Sequence, residues 1–428
     1  MRPIKRRDVI VAAIAVAVTV VAGIVALNLR TGEKEIEHQI LRLYSIDNPQ
    51  FARAMGVLLG PPIDDGNRFE VLRNGDEIFP SMLAAIRSAK NTISFESYIY
   101  WSGDVGKAFA EVLAERARAG VHVHLLLDWL GSNKMDPSQI AEMERAGVEV
   151  RRFHQPRWYE LQRFNNRTHR KLLVVDGRVG FTGGVGIADE WSGHAQDPAH
   201  WRDTHFRAEG PVVAQMQAVF MDNWVKVSGK VLHGADYFPA LARAGESRGQ
   251  VFSSSPEGGS ESMRLMYLLA ITAAARSIDL SSAYFVPDAL TLQTLIDAAK
   301  RGVRIRVITP GEHVDAETVR RASRAKWGDL LQAGIQIFEY QPTMYHCKVM
   351  IVDGLWVSVG STNFDNRSFA LNDEANLNIL DAAFARQQID IFEEDLARSN
   401  PITLPQWEAR PLTEKVVEHA AALLSDQL

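Results

Sequence analysis

One pattern occurs twice in this chain with the same internal spacing. His169-Arg170-Lys171 is followed after four residues by Asp176 and after six more by Gly183-Gly184. His346-Cys347-Lys348 is followed after four by Asp353 and after six more by Gly360-Ser361. Two copies of a histidine–lysine pattern constrain the fold more than any single motif could. They call for two copies of one supersecondary unit, placed so that both histidines reach one pocket.

Other landmarks repeat in the same order. Ala85-Ile86 to Tyr98 resembles Ala270-Ile271 to Tyr284. Arg118-Ala119-Gly120-Val121 matches Lys300-Arg301-Gly302-Val303, and Arg145-Ala146-Gly147-Val148 matches Gln332-Ala333-Gly334-Ile335. The offsets, 177 to 187 residues, exclude a short-period solenoid and point to two homologous halves. Within a half, strands alternate with helices. Pro80 is expected to open a helix with Met82, Leu83 and Ile86 on one face. Ile93 to Tyr100 reads as a strand, Asp104 as the cap of a helix that Gly120 ends, and Val121 to Leu127 as an apolar strand. This alternation predicts an α/β fold with a mostly parallel sheet.

The N-terminus differs. Arg2, Lys5, Arg6 and Arg7 precede a run from Val9 to Leu27 that carries no charge. As a helix it would span about 28 Å, close to the hydrocarbon thickness of a bilayer. It exceeds the apolar core of a cleaved signal peptide, and Asn28-Leu29-Arg30 offers no small-residue cleavage site. A single retained anchor in the cell (inner) membrane is expected. Basic residues before it and Glu33, Glu35 and Glu37 after it place the body on the non-cytoplasmic side. The expected organisation is a basic flank at 1–8, the anchor at 9–29, a connector at 30–65 containing a short helix from Ile36 to Leu43, halves at 66–245 and 246–410, and a C-terminal helix at 411–428.

Alternation puts His169 and Lys171 on one face of a strand, and likewise His346 and Lys348. The runs Leu172–Val175 and Val349–Val352 imply strands buried on both faces. Asp176-Gly177 and Asp353-Gly354 are hairpin-turn dipeptides. Asp176 and Asp353 complete the motif that carries the catalytic residues, yet seven strand residues put them about 23 Å from the histidines. They are read as structural.

Two histidines and two lysines suit phosphodiester chemistry without a metal. One imidazole can attack phosphorus, and the other can give a proton to the leaving oxygen. Lys171 and Lys348 can neutralise the phosphate as point charges. The sequence holds no HExxH, no aspartate cluster at calcium-loop spacing and a single cysteine, so neither a metal nor another cofactor is expected. Cys347 alternates away from His346 and Lys348 and reads as a core residue. An imidazole nucleophile needs a partner for its second nitrogen. Asp203 and Glu374, which follow their histidines by 34 and 28 residues, are candidates. Without the four basic residues of the N-terminus, 43 Lys and Arg stand against 52 Asp and Glu, a net of −9 that gives no support for nucleic acid as partner.

These features resemble the phospholipase D superfamily, most closely its bacterial cardiolipin synthase branch, from about Arg68 to Leu380. Further stretches carry the resemblance: Glu96-Ser97-Tyr98-Ile99, Trp201 to His205, Ala283 to Pro287, Gly360 to Asn363, Asn366 to Phe369 and Leu371 to Glu374. The resemblance implies two α/β/α sandwich halves about a pseudo-twofold axis with one active site between them. It implies His169 as nucleophile, His346 as general acid and then base, Lys171, Lys348 and Asn363 on the phosphate, and Asp203 and Glu374 orienting the imidazoles. The implied reaction joins two phosphatidylglycerols into cardiolipin and releases glycerol, with a phospholipid and the bilayer as partners. Two departures stand out: Gly186 occupies the position equivalent to Asn363, and one N-terminal helix replaces the two that many such synthases carry. A phospholipase D hydrolysing the same bond is the nearest alternative. A nuclease of the superfamily and a catalytically dead lipid-binding protein are more distant ones.

Overall fold

Both apolar runs after the motifs become strands with every residue buried, Lys171–Val175 and Lys348–Val352. The computed structural model describes residues 6–28, 36–155, 166–256 and 261–423. Helix α1 (Arg6–Asn28) and helix α2 (Pro49–Leu59) come first. The first half runs β1 (Asp64–Arg73), α3 (Asn74–Ser88), β2 (Thr92–Ser97), α4 (Asp104–Arg118), β3 (His122–Asp128), α5 (Pro137–Ala146), β4 (Glu149–Phe153), β5 (Arg167–Thr168), β6 (Lys171–Val175), β7 (Val179–Gly183), β8 (Thr204–Glu209) and α6 (Val212–Ser228). The second runs β9 (Ser247–Ser254), α7 (Ser262–Ala273), β10 (Ser277–Ser282), β11 (Phe285–Val286), α8 (Ala289–Lys300), β12 (Arg304–Pro310), α9 (Glu317–Ala325), α10 (Trp327–Gln332), β13 (Gln336–Tyr340), β14 (Lys348–Val352), β15 (Trp356–Gly360), β16 (Phe364–Asp365), β17 (Asn372–Leu380) and α11 (Ala382–Leu396). Strand β18 (Ser399–Ile402) and helices α12 (Leu404–Glu408) and α13 (Leu412–Ala422) close the chain.

Among the described residues, sixteen strands form one sheet. Its order is β18-β13-β12-β10-β14-β15-β17-β9-β1-β8-β7-β6-β2-β3-β4, with β5 attached to β17. Outward from the antiparallel β9–β1 pair, the order is the same in both directions: β17, β15, β14, β10, β12, β13 on one side and β8, β7, β6, β2, β3, β4 on the other. The duplication seen in the sequence is thus a mixed α/β fold of two like halves. The sheet is not mostly parallel as expected. Apart from the short β5–β17 pairing, its parallel pairs are those of the βαβ units β2–β3–β4 and β10–β12–β13, because each motif strand re-enters antiparallel and hairpins back. One apolar cluster continues across both halves, from Val174, Phe206 and Phe220 to Val349, Leu377 and Phe384.

Local expectations were met unevenly. Helix α3 starts at Asn74, so Pro80 lies inside it and does not open it. The missing hydrogen bond is tolerated because Ile78, Phe79, Met82 and Ile86 are buried. Asp104 is the first residue of α4 and does not cap it; the Asp189 carboxylate accepts from the N–H groups of Asp104 and Val105 instead. Ile36–Leu43 is irregular, while the nearby helix is α2, capped by Asn48. The stretch expected as a connector is part of the second half's core: Phe51 and Met55 are fully buried there, and Phe51 meets Trp356 edge-on at 6.2 Å. Helix α1 occupies the stretch expected as an anchor. Among the described residues, however, no helix is long and apolar enough to cross a membrane. Phe51→Ala is expected to cost about 3–5 kcal/mol, seen as a lowered thermal midpoint, because α2 would lose its main contact with the core.

Candidate active site

The two halves exchange backbone in front of each histidine. Strand β5 belongs to the first half by sequence but pairs in parallel with β17 of the second, Arg167 opposite Asn372 and Thr168 opposite Asp373. The next residue continues the exchange, with the N–H of His169 donating to the Asp373 carbonyl at 2.9 Å. In the other half, Arg202 bridges Tyr345 and donates to the Met344 carbonyl at 2.9 Å, and the N–H of His346 donates to the Arg202 carbonyl at 2.8 Å. In both places the accepting carbonyl is one residue before the candidate acid.

The acids therefore cross over. Nδ1 of His169 donates to Glu374, 2.9 and 3.1 Å from its two oxygens. Nδ1 of His346 donates to Asp203 at 2.7 Å. Chain spacing pairs each acid with the histidine of its own motif; the structure pairs each with the histidine of the other. Bonding at Nδ1 fixes the tautomer and leaves Nε2 as the ring nitrogen free of the carboxylate. The lysines lie beside the rings. Lys171 Nζ donates to the His169 carbonyl at 2.8 Å, and Lys348 Nζ to the His346 carbonyl at 2.9 Å while 3.2 Å from both ring nitrogens.

All six side chains are buried, and their proton affinities divide unevenly. Burial, then the Lys171 and Lys348 charges, hold His169 well below the usual imidazole range, so it is neutral. Burial and Lys348 also lower His346, but Asp203 opposes that shift. Burial alone would raise Asp203; the His346 charge, its hydrogen bond and Lys348 bring it below its usual value. Glu374 is pushed up to about 7 by burial, against the pull of Lys171. Lys171 is lowered to about 7 by burial and by the charge of Lys348. The site thus offers one neutral imidazole, a second facing an anion, and two lysines whose charges repel, so that an entering anion would favour the ammonium form of both.

The family model and the curated relatives agree on one family. The family model described as "Cardiolipin synthase, PLD-like domain" matches residues 82–221 and again 267–396. The cardiolipin synthase of Geobacillus sp. (strain WCH70) is 37% identical over 370 residues, 86% of this chain and 74% of that protein. The chain belongs to the cardiolipin synthase family of the phospholipase D superfamily. Cardiolipin synthase 2 of Bacillus anthracis is 35% identical over 402 residues, 93% of this chain and 77% of that protein. Among solved structures, the phosphatidylserine synthase of Haemophilus influenzae Rd KW20 superposes with a TM-score of 0.67 at 13% identity, over 89% of this chain and all of that one, which speaks for the fold alone. The activity is the family's, a phosphatidyl transfer.

Not every residue of the synthase motif is in the site. Asp176 and Asp353 sit in the far hairpin turns, both at positive φ. Asp176 accepts from the N–H groups of Lys90, Asn91 and Thr92 at 2.7–2.9 Å, and Asp353 from those of Ala275, Arg276 and Ser277 at 2.7–2.9 Å. They belong to the motif that carries the catalytic residues, and, in the structural place read for them from the hairpin turns, they tie each hairpin to the start of β2 or β10. Asn363 is buried, and its Oδ1 has no hydrogen-bond partner among the described residues. Gly186, its counterpart, has no room for a side chain: a Cβ would lie 2.9 Å from Ile99 and 3.0 Å from the Trp191 ring. Cys347 is buried, as expected, and raised to about 12 by burial, which makes it a poor nucleophile.

Three supporting groups escaped the sequence reading. The Ser361 hydroxyl donates to Glu374, and Trp191 Nε1 donates to Asp203 at 2.9 Å. Tyr98 meets the His169 ring edge-on at 5.1 Å. Ser361 stood in plain view in Gly360-Ser361 against Gly183-Gly184, whereas nothing local marks Trp191.

Glu374→Gln is expected to shift the ring ¹⁵N resonances of His169 and leave those of His346 nearly unmoved, and Asp203→Asn to do the reverse; the opposite assignment would contradict crossed pairing. Asp176→Ala and Asp353→Ala, each losing the acceptor for three N–H groups, should lower stability by about 2–3 kcal/mol. Turnover per folded molecule should change little, as thermal melts and active-site titration together would show.

Proposed function

We propose that this chain makes cardiolipin from two phosphatidylglycerols through a phosphatidyl-histidine intermediate. The observation that carries the reading is the convergence of two crossed histidine–carboxylate pairs with two buried lysines. In the first step Nε2 of neutral His169 attacks the donor phosphorus, the bond to the glycerol oxygen breaks, and His346 gives that oxygen its proton. In the second, His346 takes the proton of the acceptor's glycerol hydroxyl, whose oxygen attacks phosphorus and returns the bonding pair to His169. Asp203 stabilises the imidazolium state of His346 that this shuttle needs. Lys171, Lys348 and Asn363 hold the non-bridging oxygens, where negative charge builds. The ammonium groups supply the charge neutralisation, so no metal or other cofactor is assigned a step. The halves then act as pseudo-twofold partners, with boundaries at 66–245 and 246–410.

The same reading makes the uncharged run from Val9 to Leu27 a single membrane anchor, on the strength of its sequence, since no helix among the described residues by itself meets the length and apolarity of a span. Its apolar side chains Val9, Ile10, Val11, Ile14, Val16, Val18, Val20 and Val21 are all exposed, an arrangement that water disfavours and a lipid environment does not. The flanking charges favour an inner-membrane protein with its body on the non-cytoplasmic side.

Purified protein incubated with phosphatidylglycerol vesicles should yield cardiolipin and glycerol by mass spectrometry. Phosphatidic acid as the sole new lipid would replace this reading with hydrolysis. His169→Ala and His346→Ala should each abolish turnover, and His346→Ala should trap a lipid adduct on His169; an adduct on His346 would reverse the two roles.

A further inference from the structure

A phosphatidyl-histidine can be cleared by either of two oxygens. A lipid hydroxyl gives cardiolipin. Water gives phosphatidic acid: its oxygen attacks phosphorus, the bond to His169 breaks with its electron pair returning to the imidazole, and His346 takes the proton. Attack opposite the departing His169 nitrogen brings either oxygen in beside His346. Water is by far the more concentrated of the two, so what surrounds His346 bears on which product forms.

Two indoles surround it. The His346 residue is 5% exposed. Trp191, fully buried, meets its ring nearly at right angles at 5.3 Å, and Trp201 meets it at 5.5 Å with the planes tilted by 39°. The indoles pack on each other at 4.5 Å. Trp191 is already engaged through its N–H with Asp203. Trp201 is only half-buried, so it forms the solvent side of this aromatic cluster.

Its neighbours in sequence hold it there. The backbone N–H of Trp201 donates to the Glu190 carbonyl at 2.6 Å. On one side the His200 carbonyl accepts from the Thr343 hydroxyl at 2.8 Å. On the other Arg202 donates to the Met344 carbonyl and to Asp395, each at 2.9 Å. Thr343 and Met344 lie just before His346, so a first-half tryptophan is clamped beside a second-half histidine.

The equivalent position in the other half is not aromatic. The carbonyls that hold the two histidine N–H groups belong to Arg202 and Asp373, which makes Asn372 the counterpart of Trp201. Asn372 carries an amide, and its Nδ2 lies 3.4 Å from Glu374. An amide gives water two donors and an acceptor, whereas an indole gives it one N–H and two apolar faces. The apolar group stands on the side where a proton is taken from the incoming hydroxyl.

We propose that Trp201 keeps water from His346 and so directs the covalent intermediate to a lipid hydroxyl, which makes it a residue that sets synthesis against hydrolysis. The proposal rests on the phosphatidyl-histidine reading and deepens it. Transfer and hydrolysis share donor, intermediate and base, and the indole acts on the choice between them.

The test is the partition of that intermediate. Wild type, Trp201→Phe and Trp201→Ala are incubated with phosphatidylglycerol vesicles and a fixed amount of 1-butanol. Cardiolipin, phosphatidylbutanol and phosphatidic acid are then quantified together by mass spectrometry. All three come from one intermediate, so their ratios do not depend on how much of a variant is folded. Trp201→Ala is expected to raise phosphatidic acid about tenfold against each of the other two, equivalent to about 1.4 kcal/mol on the barrier to hydrolysis. Trp201→Phe, which keeps an apolar ring, should stay near wild type. If the alanine variant forms no product, Trp201→Leu takes its place, with a rise of about threefold. Unchanged ratios overturn the proposal. So does a loss of cardiolipin against phosphatidylbutanol without a rise in phosphatidic acid, since Trp201 would then be binding the acceptor lipid. Loss of all three products in every variant overturns it as well, because the indole would then be needed before the intermediate forms. A wild type that forms phosphatidic acid and no cardiolipin would instead sink the proposed function.

Discussion

The candidate active site depends on a backbone exchange at the joint between the halves. The N–H of His169 is held by the carbonyl of Asp373, and the N–H of His346 by that of Arg202. Each histidine then receives its carboxylate from the residue after that carbonyl, Glu374 or Asp203. Main chain and side chain of each imidazole are therefore both fixed by the opposite half. Neither half can build a complete histidine–carboxylate pair by itself. The β9–β1 pairing and the apolar cluster shared by α6 and α11 keep the halves from sliding, which would break both pairs together.

Buried arginines reinforce this joint from below. Arg170, between His169 and Lys171, is fully buried and donates to the carbonyls of Glu374, Ser254 and Val219 and to Asp222, so a first-half side chain ties down second-half main chain. Arg202, just before Asp203, makes two bonds at 2.9 Å to Asp395 on α11, the reciprocal tie. A buried guanidinium is costly unless fully paired. Here each is paired across the boundary, which favours the one docking geometry that satisfies both.

How far the sequence could reach follows from what each interaction depends on. The motif strands, their hairpin turns and the far placement of Asp176 and Asp353 follow from two-residue periodicity and Asp-Gly turns, which are local. The duplication is legible because it compares the chain with itself. The crossed pairing is not, since spacings of 34 and 28 residues measure distance along the chain, and each acid meets the other half's histidine only when the halves dock. The same holds for α2: nothing between Pro49 and Leu59 announces that Phe51 completes a core formed some 300 residues later around Trp356. Pro80 misled because burial of Ile78, Phe79 and Met82 outweighed a local breaker.

The fold is nearly symmetric, and the chemistry requires that the site not be. A phosphoryl-transfer pair needs one imidazole neutral and one able to carry a proton, yet symmetry would give both the same affinity. The asymmetry enters through the supporting residues. On one side the acid is the shorter Asp203, bonded by Trp191 and by the Thr204 N–H at 2.8 Å, and it is held below its usual value. On the other it is Glu374, backed by the Ser361 hydroxyl and raised to about 7. Gly184, the counterpart of Ser361, cannot carry a side chain, because a Cβ there would lie 2.2 Å from Asp203 Oδ1. Trp191 likewise fills the space that Asn363 would have in a symmetric site. The anionic Asp203 opposes the lowering of His346, whereas burial and the two lysine charges hold His169 neutral. On the proposed mechanism these few substitutions, laid on a duplicated scaffold, separate the acid from the nucleophile.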